Sequence, residues 1–180
     1  MQFSFFINGS HNIVLDYLAF YGTYIGDGVF AILLSILILF YDKKMGISLL
    51  AAYLISSGLA QALKHLIFSN FNRPYFFVDH KETIHHVLGL IPHLYNSFPS
   101  GHTTTAFMLF GMLSFRYGKI WLFLPIGLLV AYSRIYLFQH FLIDVVVGSA
   151  LGLTSATLVY FYFIEQNFSA KILSLFEHKK

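Results

Sequence analysis

Arg134, His140 and Asp144 lie in the stretch from Ser133 to Asp144, at the edge of an otherwise apolar segment. His140 and Asp144 are four residues apart, so on a helix they share one face and can touch. A carboxylate on a histidine, next to a fixed cation, is a device for attacking an anionic centre. Two further groups carry polar chemistry: Lys64 followed by Arg73-Pro74, and Pro99-Ser100-Gly101-His102 at the start of an apolar run. Lys64, Arg73 and Arg134 together call for an anion. The planar fork of arginine suits phosphate, and lysine adds a point charge. Ser100 and Gly101 precede a predicted helix, so their backbone N–H groups and the helix N-terminus can cradle an oxyanion. Glycine there lets the backbone approach a ligand closely. His102 and His140 would supply an acid and a nucleophile or base.

Each element has a plainer reading when taken alone. Ser100-Gly101 is a helix cap, Lys64 a snorkelling lysine, and His140 with Asp144 a structural hydrogen bond. Asp79, His80, Glu82, His85 and His86 resemble a metal-binding set, but they lack fixed ligand spacing and read as a solvated loop. The functional reading depends on whether the surrounding elements bring the three groups together.

Those elements belong to a membrane protein. The chain has 180 residues, of which 57% are hydrophobic and 11% charged, against about a quarter charged in a soluble domain. The expected fold is all-α: a single domain over residues 1–180 forming a bundle of about five transmembrane helices. The spans are expected at about 28–41, 45–68, 101–116, 120–132 and 141–164. Residues 11–23 read as an N-terminal interfacial helix or a short first span. A polar stripe of Ser57, Gln61 and Lys64 marks one face of the second span. Gly148, Gly152 and Ala156 give the fifth a small-residue seam for close packing. The segment 69–100 is a long loop with some helix between Thr83 and Leu94, and residues 165–180 read as a short amphipathic helix. Cysteine is absent, which excludes disulfides and thiol chemistry. The N-terminus lacks the basic region and cleavage site of a signal peptide.

The formal charge of +3 reads as a topology signal, because no basic run suggests nucleic acid. Lys43-Lys44, Arg116 with Lys119, and the tail with Lys171, Lys179 and Lys180 fall on one side of a five-span chain. The positive-inside rule makes that side cytoplasmic. The loop 69–100 and the turn 134–140 then face outward, so all three polar groups share one membrane face.

The three groups in this order resemble the type 2 phosphatidic acid phosphatase family of integral-membrane lipid phosphatases, whose site is shared with vanadium haloperoxidases. The family pattern is lysine and then Arg-Pro, Pro-Ser-Gly-His, and Ser-Arg-x5-His-x3-Asp. The second and third patterns stand here without departure. In the first, eight residues separate Lys64 from Arg73, where six are usual. The resemblance implies that His140 attacks phosphorus, Asp144 holds and stabilises it, and His102 protonates the leaving oxygen and then activates water. It implies that Lys64, Arg73, Ser100, Gly101 and Arg134 bind the phosphoryl oxygens, with no cofactor and no metal.

The expected activity is hydrolysis of a lipid phosphomonoester or diphosphate through a phosphohistidine. Candidate substrates are undecaprenyl diphosphate, phosphatidylglycerophosphate, phosphatidic acid and a lipid A phosphate. The expected setting is a bacterial inner membrane with the site facing the periplasm or exterior. Phosphotransfer to a lipid hydroxyl is the alternative. Haloperoxidase chemistry fits poorly, because those relatives are large and soluble. A non-catalytic binder would have no use for His102, His140 and Asp144 together. Aromatics at 75–77 and 136–138 are candidates for lining a lipid-tail path.

Overall fold

The computed structural model describes residues 1–165, which are helical with no strand among them. Seven α-helices follow in order: α1 (Gln2–Gly9), α2 (Ile13–Tyr24), α3 (Gly28–Leu39), α4 (Lys43–Ala62), α5 (Gly101–Tyr117), α6 (Ile120–Tyr136) and α7 (Leu142–Val159). α4 and α7 each run on into one π-helical turn, Leu63–Ile67 and Tyr160–Ile164. Three starts are side-chain capped as the sequence allows. Asn12 accepts from the Leu15 amide at 3.0 Å, Asp27 from Val29 at 2.8 Å and Asp42 from Met45 at 3.0 Å. The expected helical tail falls almost entirely on residues 166–180, outside the described residues.

α5 is the hub. Every residue from Thr103 to Leu113 is buried, because α4, α6 and α7 all pack on it. Its contact with α7 is the closest in the bundle. A Cβ at Gly148 would lie 2.6 Å from the Ser100 carbonyl oxygen, and one at Gly152 only 2.3 Å from that of Thr104. Only glycine lets the two backbones meet there, which is the role the small-residue seam predicted. The core of Met45, Leu49, Ala52, Met108, Leu109, Met112 and Val130 joins α4, α5 and α6. Large apolar side chains such as Leu33, Leu54, Trp121 and Leu158 point outward and are exposed. That is the pattern of a bundle solvated by lipid.

Two helices, Lys43–Ile67 and Leu142–Ile164, are long and apolar enough to cross a membrane. α2 and α3 meet the same test only as a pair, bent by 63° at residues 25–27. α5 and α6 have 17 residues each, about 25 Å of helix, slightly less than a bilayer core. Residues 13–24 form α2, the short N-terminal helix expected there; it packs along α6 and turns into α3, and a further helix, α1, precedes it. Residues 69–100 hold three short 3-10 turns, Pro74–Phe77, Lys81–Thr83 and Val87–Gly89. α6 extends four residues beyond the expected end at Tyr132, so Ser133 and Arg134 lie in its last helical turns.

The bundle has two distinct ends. At one, Arg116 pairs with Asp42 at 2.6 Å and the Lys44 ammonium donates to the Ile164 carbonyl at 3.2 Å. At the other, the loop 68–100 closes over the ends of α4, α6 and the starts of α5 and α7. The three sequence motifs meet at that end.

Candidate active site

The turn between α6 and α7 delivers the histidine. The Gln139 and His140 amides both donate to the Arg134 carbonyl, at 3.0 and 3.1 Å, and Phe138 takes a left-handed φ of 56°. A bulky residue in that region costs about 1–2 kcal/mol. It is held there because the Phe138 side chain is fully buried. The tight wrap points His140 back toward the first turn of α7. There Asp144 caps the helix by accepting from the Phe141 amide at 3.0 Å.

The same carboxylate oxygen, Oδ2, accepts from His140 Nδ1 at 3.3 Å and from the Ser97 hydroxyl. His140 and Asp144 are each 1% exposed. With Nδ1–H turned to the carboxylate, Nε2 keeps its lone pair, the atom a nucleophilic histidine uses. Burial, then Arg73, Arg134 and Lys64, hold the His140 imidazole well below its ordinary pKa and therefore neutral.

The three cations come from three separate elements. Lys64 sits in the π-turn that ends α4, buried, and donates no hydrogen bond within the described residues. π-Turns of this kind recur at functional sites. Arg73 is fixed by loop and turn. Its Nε donates to the Tyr95 carbonyl and one Nη to the Gln139 side-chain oxygen, both at 2.8 Å. Burial lowers its pKa to about 10, with Asp144 opposing. Arg134 donates to the Thr23 hydroxyl at 2.7 Å, and its buried Nε has no partner among the described residues. A buried orphan donor beside two other cations fits a site shaped for an anion.

The Pro99-Ser100-Gly101-His102 segment starts α5. The expectation that the Ser100 amide would cradle an oxyanion needs correction: that N–H donates to the Asp144 carbonyl at 3.0 Å. The Ser100 hydroxyl is engaged with Thr103 at 2.9 Å. The amides that start the helix without an intrahelical acceptor are Gly101, His102 and Thr103. A Cβ on Gly101 would meet nothing within 4 Å, so the backbone faces open space there. The His102 side chain is 32% exposed, with Nε2 3.9 Å from an Asp27 oxygen. A cleft of about 430 Å³, lined by Gln61, Lys64, His65, Arg73, His93 and Tyr95 among others, opens beside the cations.

A model of the PAP2 superfamily matches residues 45–168. The chain belongs to the PAP2 superfamily. It is 39% identical over 98 residues to the "Bacitracin transport permease protein BcrC" of Bacillus licheniformis, covering 53% of this chain and 48% of that one. It is 35% identical over 138 residues to the "Undecaprenyl-diphosphatase BcrC" of Bacillus subtilis strain 168, covering 75% and 68%. It thus spans about half to two thirds of the length of these relatives. Among solved structures it resembles Aquifex aeolicus LpxE, with a TM-score of 0.77 and 26% identity, over 88% of this chain and 92% of that one. It also resembles a transmembrane PAP2-type phosphatidylglycerolphosphate phosphatase from Bacillus subtilis, with a TM-score of 0.72 and 25% identity, over 94% and 83%. The chain is an integral membrane protein of this superfamily.

Four residues of this PAP2 site carry no signal in the sequence reading: Ser97, Gln139, Thr23 and Asp27. Ser97 touches Asp144, and Gln139 bridges Arg73 and the His93 amide, at 2.8 and 3.4 Å. Thr23 and Asp27 reach Arg134 and His102 from the first bent helix pair.

The loop histidines separate. His85 turns inward to Asp16 at 2.9 Å, His80 pairs with Glu82 at the surface, and His86 packs on the Tyr75 ring. The aromatic lining expected at 136–138 is also corrected. Tyr136, Leu137 and Phe138 are buried core, while Phe76 and Phe77 are the exposed rings.

Proposed function

We propose that this PAP2 protein hydrolyses a lipid phosphomonoester or diphosphate through a phosphohistidine on His140, with the site on the outer membrane face. The observation that carries this reading is the His140–Asp144 pair, with Nε2 unclaimed, set among Lys64, Arg73 and Arg134. In the first step the Nε2 lone pair attacks phosphorus. The N–P bond forms as the bond to the leaving oxygen breaks, and His102 gives that oxygen a proton. Asp144 stabilises the positive imidazole that results. In the second step water attacks phosphorus, the N–P bond breaks, and the water proton passes to His102. Lys64, Arg73, Arg134 and the Gly101 amide hold the phosphoryl oxygens and the charge that grows on them. These fixed cations take the part that a divalent metal plays in other phosphoryl-transfer sites, so a chelator is expected to leave the activity intact. Ser100 acts through its hydrogen bonds to Thr103 and Asp144, which set the start of α5 against α7.

Undecaprenyl diphosphate is the substrate we favour, because the relative from Bacillus subtilis is named for it and recycling a polyprenyl carrier is an outer-face task. The outer-face assignment rests on Lys43, Lys44, Arg116 and Lys119 at the opposite end of the bundle. The test is phosphate release by detergent-purified protein from undecaprenyl diphosphate, phosphatidylglycerophosphate, phosphatidic acid and a lipid A phosphate. His140→Ala serves as the blank. Release from the diphosphate first, lost in the variant, is the expected result. Release at an unchanged rate by His140→Ala would overturn the mechanism. A reporter fused after Lys119 should read cytoplasmic, and an external reading would invert the topology.

A further inference from the structure

The first bent helix pair reaches into the site from outside the region the family match covers, which begins at residue 45. It breaks at residues 25–27, and the break is pressed against the start of α5. A Cβ on Gly26 would lie 2.7 Å from the His102 carbonyl oxygen. On either side of that contact stand Thr23, which accepts from Arg134 at 2.7 Å, and Asp27, whose Oδ2 lies 3.9 Å from His102 Nε2. The other Asp27 oxygen caps α3 through the Val29 amide at 2.8 Å, which fixes the carboxylate in place.

We propose that Asp27 is the positioning carboxylate of His102, so that the site holds two histidine–carboxylate pairs, one for the nucleophile and one for the acid. The proposal rests on the reading of His102 as the proton donor.

An acid must be protonated before the first step. The charged groups around His102 are Arg134 from α6, Arg73 from the loop and Lys64 from the end of α4, with the titratable His93 of the loop beside them. All of these oppose a cationic imidazole. Asp144 is engaged with His140, Ser97 and the Phe141 amide. Asp27 is the carboxylate remaining within ion-pair reach. A separation of 3.9 Å is too long for a hydrogen bond, but pairs of this kind tighten in the transition-state complex. With Nε2 toward Asp27, Nδ1 is the ring atom left to pass the proton to the leaving oxygen. Asp27 would therefore both orient the ring and favour its charged form, as Asp144 does for His140. Asp27 also acts electrostatically on Arg134, so the break in the first helix pair braces an acid and a phosphate ligand together.

Asp27→Asn separates this role from capping, because asparagine caps a helix as well as aspartate does but carries no charge. The full-length protein is assayed on dioctanoyl phosphatidic acid, whose alcohol leaves poorly, and on p-nitrophenyl phosphate, whose phenolate leaves without a proton. The expected loss of kcat/KM on the lipid is about 10- to 100-fold, within the range general acids contribute, with less than about 3-fold on the aryl ester. The alkaline limb of kcat/KM on the lipid should also move to lower pH. An equal loss on both substrates, or an unmoved limb, overturns the proposal. His102→Ala is run alongside. If it shows the leaving-group dependence and Asp27→Asn does not, only the Asp27 assignment fails. If His102→Ala loses both substrates equally, the reading of His102 as the acid fails, and Asp27 with it.

Discussion

Two aspartate–histidine pairs among the described residues contrast, one part-buried and one buried, and the tighter one is not the pair we propose to react. His85 meets both Asp16 oxygens, at 2.9 and 3.0 Å, and Tyr136 donates its hydroxyl to the same carboxylate at 2.6 Å. Asn8 ties the cluster to the backbone on both sides, taking the His85 amide and donating to the His85 and Tyr136 carbonyls. His11 stacks on the His85 ring at 3.9 Å. Both Asp16 carboxylate oxygens and the Asn8 side chain are engaged there, and the cluster joins α1, α2, the long loop and α6. The His140–Asp144 contact is longer, at 3.3 Å, and among the described residues His140 Nε2, Lys64 and the Arg134 Nε have no hydrogen-bond partner. A satisfied polar network rigidifies a fold, whereas a site keeps donors and lone pairs back for its substrate. The contrast teaches that reactivity is marked by what remains unpaired.

The contrast predicts different consequences at the two pairs. His140→Ala should lower phosphate release by about 10⁴-fold or more while the protein still melts cooperatively, as for removal of a nucleophile. Asp144→Asn should cost about 10²–10⁴-fold in kcat, because the imidazole loses its orientation and the stabilisation of its positive form. Arg134→Gln removes donors aimed at the developing phosphoryl charge and should cost about 10²–10³-fold in kcat.

At the other pair the effect should fall on stability. Asp16→Asn leaves buried partners poorly satisfied and should destabilise the fold by about 1–3 kcal/mol, read as a lower melting temperature in detergent, with kcat/KM little changed. Loss of activity without loss of stability in Asp16→Asn would erase the distinction between the two pairs.

The smallest effect concerns pH. A histidine held well below its ordinary pKa stays deprotonated as pH falls through 6.5, so the nucleophile is retained there and lost only at more acid pH. The acid limb of kcat/KM should accordingly lie below pH 6.5, and a limb at or above that value would show His140 to be solvated rather than buried.

The motif residues were legible in the sequence because their chemistry is local. A histidine four residues before an aspartate, an Arg-Pro and a Ser-Gly-His at a helix start state their types and spacing directly. The glycine seam of α7 is legible for the same reason, since close packing depends on neighbours within a turn or two. The break in the first helix pair was not. Residues 13–24 are short and mixed in polarity. What makes them half of a bent pair is a surface on α6, 111 residues distant from Thr23 at Arg134.

The sequence by itself determined an all-helical membrane protein with a phosphate-seeking set of side chains, because composition, periodicity and motif spacing are properties of the chain read in order. The tertiary structure decided which of those groups are spent on the fold and which stay free. It gave the Ser100 amide to the Asp144 carbonyl and the Ser97 hydroxyl to the Asp144 carboxylate, and it left the Arg134 Nε without a partner among the described residues. It also brought Thr23 and Asp27 to Arg134 and His102. These assignments follow from which helices pack together. Each hydrogen bond given to the fold is one the substrate cannot have, and only the packed bundle fixes that division.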